Sequence, residues 1–213
     1  MNHLLLVEDL HLVRQGLKMM IEQDETLRVI AEAGNGQEAV EAYERHMVDL
    51  VLMDIRMPVK NGLEATKEIR ARHPVAKVLM LTTFDDDAYA LEALKYGACG
   101  YLLKDADADY LIRAIKSVLN GGMHLDDSVA AKVMPHLLHA QPSKGAGEKI
   151  ALLTKRELSI VKLVGNGKNN QEIADTLFLS VGTVKNHISQ VLDKLDLRDR
   201  TQLAIYAIRQ QLC

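Results

Sequence analysis

Five short apolar runs, each followed by a segment of helical period, constrain this chain more than any other feature. The runs are His3–Val7, Arg28–Ala33, Leu50–Met53, Val78–Leu81 and Gly100–Leu103. The helical patterns fall at Leu10–Glu22, Gln37–His46, Leu63–Arg72, Asp86–Tyr96 and Asp109–Asn120. The runs are continuously apolar, as strands buried on both faces should be. Strands that alternate with helices are joined by crossovers, which makes them parallel. The expectation is a five-stranded, doubly wound parallel α/β sheet, with Gly121-Gly122 stopping the fifth helix.

The pattern then changes. Helical spacing resumes at Asp127–Leu138, and Gln141 to Gly147 has the composition of a linker. From Leu152 onward the chain reads as helix only. Thr154 and Glu157 have capping-box spacing, and Asn169 with Glu172 repeats it. Leu179-Ser180-Val181 is a short turn before a helix whose buried stripe is Val184, Ile188, Val191, Leu192 and Leu195. Leu203–Gln210 makes a last helix. Short helices at this spacing resemble a helix-turn-helix. The boundaries read 1–122, a connecting helix and linker over 123–151, and 152–213.

Charge divides at the same place. Residues 1–130 carry 14 Lys and Arg against 22 Asp and Glu, and residues 131–213 carry 12 against 7. An acidic first part and a basic last part suit different partners, nucleic acid among those open to the second. With 48% hydrophobic residues the chain is not intrinsically disordered, and with Cys99 and Cys213 alone it is not a disulfide scaffold. The Leu4–Val7 run meets Glu8 and Asp9 at once, too short for a secretory signal, and no run is long enough to span a bilayer. The expectation is a soluble cytoplasmic protein without a membrane partner.

Ligands of open α/β sheets bind beyond the carboxyl ends of the strands. Glu8 and Asp9 follow the first strand, Asp54 the third and Lys104 the fifth, while Thr82 and Thr83 end the fourth. Three carboxylates supply hard oxygens for Mg²⁺. A carboxylate can also attack phosphorus, with a lysine and a hydroxyl steadying the phosphoryl oxygens. A rival motif, Gly34-Asn35-Gly36-Gln37-Glu38-Ala39, has dinucleotide-binding spacing. It follows the second strand rather than the first, and gives Glu8, Asp9, Thr82 and Lys104 nothing to do; a tight strand-to-helix turn is the plainer reading. Pro58 and Gly62 read as loop punctuation, Asp85-Asp86-Asp87 as a helix cap, and Cys99 as a small buried residue. His136 and His139 share a helix face beside the linker, where solvent is a simpler partner than metal.

LLLVEDL, LVLMDIRMPVKNG, LMLTTFDDD and GYLLKD together resemble a response-regulator receiver domain over about residues 1–122, a flavodoxin-like fold. The resemblance implies that Asp54 is the phosphoacceptor. It implies Mg²⁺ held by Asp9 and Asp54, with Glu8 helping and the Arg56 backbone carbonyl completing the set. It further implies that Lys104 and Thr82 meet the phosphoryl group and that Tyr101 is a switch aromatic. Glu8 stands where many receivers have Asp, and Asp105 where many have Pro.

Residues 153–207 resemble the LuxR-type DNA-binding domain, so the whole is similar to NarL/FixJ-family regulators. On the helix from about Val181 to Leu195, the resemblance makes Lys185, Asn186 and Ser189 candidates for base contacts. Ser180, Thr183 and Lys194 are candidates for phosphate contacts. The implied protein is not an enzyme with a turnover substrate. It is a two-component regulator, phosphorylated by a sensor histidine kinase and binding promoter DNA as a homodimer formed on phosphorylation. Two other readings stay open at this point: a Mg²⁺-dependent phosphohydrolase using Asp54, and a constitutive DNA-binding protein with a docking module.

Overall fold

The computed structural model describes residues 1–83, 87–126, 129–131, 133 and 150–213. Of the expected Asp127–Leu138 helix only 129–131 and 133 are described, and they are helical; the linker, His136, His139 and the capping role of Asp85 to Asp87 lie outside the described residues or side chains.

The first part is built as the alternation dictates. Strands β1 (Asn2–Val7), β2 (Leu27–Ala33), β3 (Leu50–Asp54), β4 (Val78–Thr82) and β5 (Gly100–Leu103) alternate with α1 (His11–Ile21), α2 (Gly36–Arg45), α3 (Gly62–Arg72), α4 (Asp87–Lys95) and α5 (Ala108–Leu119). A sixth strand, β6 (His124–Leu125), adds to the edge in the order β2-β1-β3-β4-β5-β6. Every pairing is parallel. The sequence reading stopped at five strands because two residues after a Gly-Gly pair carry no alternating pattern.

Helices cover both faces of the sheet. Leu4, Leu6, Leu50, Leu52 and Leu79 bury one face against α1 and α5. Leu5, Val7, Val51, Met53, Val78 and Met80 bury the other. Local chemistry sets the helix starts. Asn35 accepts from the Gln37 and Glu38 amides, and the Gly36 amide donates to the Lys60 carbonyl. The rival glycine motif thus makes a tight strand-to-helix turn.

The second part comprises α6 (Lys155–Gly165), α7 (Asn170–Leu177), α8 (Val181–Leu195) and α9 (Arg200–Arg209). Both capping boxes, Thr154 with Glu157 and Asn169 with Glu172, form as the spacing requires. Ile160, Val164, Ile173, Val184, Val191, Leu195 and Leu203 make its core.

Because all strands run one way, their carboxyl ends share one rim. The loop after β3 folds back tightly there: the Gly62 amide donates to the Ile55 carbonyl at 2.9 Å. A Cβ at Gly62 would stand 1.9 Å from the Asp54 backbone oxygen. Gly62 thus fixes the backbone of the candidate site. Gly62→Ala is expected to destabilise the fold by about 2–3 kcal/mol, since backbone cannot yield as a side chain can. A urea midpoint lowered at constant m-value would show it; an unchanged midpoint would refute it.

Candidate functional site

The rim brings the carboxylates and the lysine together. Glu8 follows β1 directly, Asp54 ends β3, Thr82 ends β4 and Lys104 follows β5. The Lys104 ammonium lies 2.9 Å from Asp54 Oδ1 and 2.5 Å from Glu8 Oε2. Glu8 is 1% exposed and Asp54 6%, while Asp9 faces solvent. Burial pushes the Glu8 and Asp54 carboxyls above their ordinary range, and Lys104 only partly pulls them back. One ammonium serves two buried carboxylates, and Asp9 adds a third negative charge beside them.

Oxygens of Glu8, Asp9 and Asp54 all lie within 4.8 Å of one another. That set fits a hard divalent cation. Beside it a cavity of about 430 Å³ is lined by Asp9, Arg56, Met57, Asn61 and Tyr89. The Arg56 guanidinium sits over the Tyr89 ring, 5.5 Å from its centre. Thr82 and Tyr101 are wholly buried, so the Tyr101 ring is turned inward in this structure.

The helical domain has the other candidates. On α8, Lys185, Asn186, Ser189 and Lys194 are exposed, opposite the buried Val184, Ile188 and Val191. Ser180 caps the helix by accepting from the Thr183 amide, and the two hydroxyls lie 2.8 Å apart. Lys194 already has a partner: its ammonium bridges both oxygens of Glu157, at 2.7 and 2.8 Å. Burial pushes the Glu157 carboxyl up, but Lys194 and Thr154 outweigh it and hold it below the ordinary range. A phosphate contact from Lys194 would have to be shared with Glu157.

The two domains also touch, which periodicity did not reveal. The Arg70 guanidinium of α3 meets Asp199 at 2.5 Å, with side chains only 8% and 12% exposed. The Thr201 hydroxyl donates to the Ala98 carbonyl at 3.1 Å, and the Asn170 amide to the Asn120 carbonyl at 3.2 Å. Ile208 is buried in the receiver-side core, and Ile205 packs against it. The apolar face of α9 is therefore shared between its own domain and the first one. Lys185 lines a space whose opposite wall includes Pro74 and Lys77. No local sequence pattern singles out Arg70 or Asp199; only tertiary placement pairs them.

Comparison with known proteins agrees with this architecture. Residues 4–116 match the response regulator receiver domain, and residues 151–207 the bacterial regulatory proteins of the luxR family. The chain is 46% identical to the transcriptional regulatory protein LnrK of Bacillus subtilis, over 98% of this chain and 97% of that protein. It is 37% identical to the transcriptional regulatory protein DegU of Brevibacillus brevis, over 97% and 92%. The crystal structure of response regulator ChrA, from a haem-sensing two-component system, covers 99% of this chain and 98% of its own. That match has 32% identity and a TM-score of 0.52. A LuxR-family response regulator from Aurantimonas matches 63% of this chain and 96% of its own, at 34% identity and a TM-score of 0.60. Such relatives are transcriptional regulators, not enzymes.

Two predictions follow from the charges. The folded Asp54 carboxyl is raised, so the folded state holds that proton to higher pH than the unfolded chain. Ionising it therefore costs stability as pH rises through the folded value. Asp54→Asn is expected to raise the melting temperature at pH 7, with a gain that shrinks as pH falls and the wild-type carboxyl takes up its proton. A variant no more stable than wild type at pH 7 would contradict this. Lys194→Met is expected to cost about 1–2 kcal/mol of stability, because it leaves buried Glu157 without its cation. The salt dependence of DNA binding should stay unchanged; a slope reduced by about 1 would instead make Lys194 a phosphate contact.

Proposed function

We propose, from the premise that this chain belongs to the response regulators joining a receiver domain to a LuxR-type DNA-binding domain, that Asp54 is phosphorylated by a sensor histidine kinase and that the modified protein binds promoter DNA as a dimer. The observation that carries the reading is the buried cluster of Glu8, Asp54 and Lys104 on the strand rim, with Asp9 beside it. A protein used only for docking needs no such arrangement. A phosphohydrolase reading leaves the helix-turn-helix unexplained, and the relatives argue against it.

The chemistry falls to few groups. An Asp54 carboxylate oxygen attacks the phosphorus of a phosphohistidine; the P–O bond forms, the P–N bond breaks, and the imidazole leaves and takes a proton. Lys104, which lies between Asp54 and Glu8, turns its ammonium to the incoming phosphoryl oxygens. The Thr82 hydroxyl is the donor we assign to the same group, and Tyr101 the aromatic that senses Thr82. Glu8, Asp9 and Asp54, with the Arg56 carbonyl, would hold Mg²⁺, which when bound supplies charge neutralisation on the phosphoryl oxygens.

Control is an equilibrium between two domain arrangements. In the joined form Arg70–Asp199 and Thr201–Ala98 hold the helical domain to the receiver, and Ile205 and Ile208 are covered. Phosphorylation favours the separated form, which frees α9 to meet a second copy and α8 to enter the major groove. There Lys185, Asn186 and Ser189 read base edges, while Ser180 and Thr183 meet phosphates. Among the described residues no helix is long and apolar enough to cross a membrane, in keeping with a cytoplasmic site of action.

The deciding experiment incubates the protein with Mg²⁺ and acetyl phosphate, reads intact mass, and then measures binding to a promoter fragment selected by the protein. One added phosphoryl unit is expected in wild type and none in Asp54→Asn, with tighter DNA binding and dimerisation only when modified. Lys185→Ala should weaken binding of the modified protein by about 1–3 kcal/mol. Equal DNA affinity with and without the phosphoryl group would refute the switch.

A further inference from the structure

The junction between the domains encloses a cavity of about 320 Å³ that no step above uses. Among its described lining residues five are cations: Arg70 and Lys77 from the receiver, and Lys185, Arg198 and Arg200 from the helical domain. Asp199 is the one carboxylate among them, and it is engaged by Arg70. The other cations make no ion pair with a described residue, though two of them make hydrogen bonds. Lys77 donates to the Leu119 carbonyl at 2.6 Å. Arg200 donates to Asn170 Oδ1 at 2.9 Å and to the Lys168 carbonyl. Lys185 and Arg198 make no ion pair with any described residue. Burial pushes Lys77 down and Arg200 to about 10, and the more distant Asp49 and Glu172 only partly offset it. Between them the walls are apolar, with Val75, Met123, Ile188 and Leu192.

Positive charge gathered around an apolar space is costly until an anion shares it. The volume lies in the range of small-molecule sites. We propose that this cavity binds a small organic anion, one carboxylate, sulfonate or phosphate head on an apolar body, and that its binding holds the two domains together. The head group meets Lys77, Lys185 and Arg200; the body lies against Ile188 and Leu192. Since the walls come from both domains, such a ligand stabilises the joined form by mass action and opposes phosphorylation. Because Lys185 is on the wall, ligand and DNA draw on the same side chain. That last link rests on reading α8 as the recognition helix; binding of the anion does not.

The test titrates the unphosphorylated full chain with 1-anilinonaphthalene-8-sulfonate, without DNA, and follows fluorescence and calorimetric heat. Saturable binding is expected, weakened at least tenfold by Lys77→Met and several-fold by Lys185→Ala. Lys185 is exposed, so its variant keeps the test sound if the half-buried Lys77→Met fails to fold. The uncharged N-phenyl-1-naphthylamine should bind at least tenfold more weakly. No saturable binding, unchanged affinity in Lys185→Ala, or equal affinity for the uncharged probe would overturn the proposal. Promoter DNA should displace the sulfonate. If DNA bound without displacing it while Lys185→Ala still lost DNA affinity, α8 would stand as the reading helix and the proposed competition would fall.

Discussion

The bridge from Lys104 to Asp54 and Glu8 is the interaction on which the first domain's chemistry depends. β1 and β3 are neighbours, with Val7 opposite Met53. The residue after β1 and the last residue of β3 are therefore forced together, and both are acids. A single ammonium, delivered from the end of β5, keeps two buried carboxylates from facing each other bare. The compensation is incomplete, since burial still raises both carboxyls. The folded chain thus carries excess negative charge at a fixed point. That excess suits a hard cation, and Asp54 is steadied by the Lys104 ammonium and the Ile55 amide.

The domain junction lies at the other end of the sheet. Its receiver contacts are Arg70 in α3, Ala98, ahead of β5, and Asn120, ahead of β6. α4 joins the two ends: it begins beyond β4, near Thr82, and finishes at Lys95. Gly97 follows with φ +89°, and a Cβ there would stand 2.7 Å from Arg70 Nε and 3.0 Å from Asp199 Oδ2. The end of α4 is thus seated against the ion pair that joins the domains.

Much of this was legible in the sequence, for identifiable reasons. Parallel strands buried on both faces leave continuous apolar runs, so β1 to β5 could be placed from Leu4–Val7, Leu50–Met53 and their counterparts. Parallel direction then put Glu8, Asp54, Thr82 and Lys104 on one rim without coordinates. Capping boxes are local, so Thr154–Glu157 and Asn169–Glu172 were readable too. What escaped depends on contacts between residues far apart in the chain. Arg70 and Asp199 are ordinary polar residues until the domains meet. The resemblance offers Lys194 to phosphate, and no local pattern could show that it also pairs with buried Glu157. β6 was too short to leave a pattern, and its pairing with β5 is a tertiary fact.

The charge split also needs refining by position. An acidic receiver and a basic helical domain should attract each other at long range. At the junction the sign reverses. The receiver contributes Arg70 and Lys77, and the helical domain answers with Lys185, Arg198 and Arg200. Only Arg70–Asp199 is a favourable pair there, while Lys77 and Lys185 repel. Docking is therefore held by one ion pair, a few hydrogen bonds and the apolar contacts of Ile205 and Ile208, against local repulsion. Moving a two-state equilibrium from about 1:99 to 99:1 takes about 5.5 kcal/mol. A junction built from opposing terms lies nearer balance than a fully complementary one would.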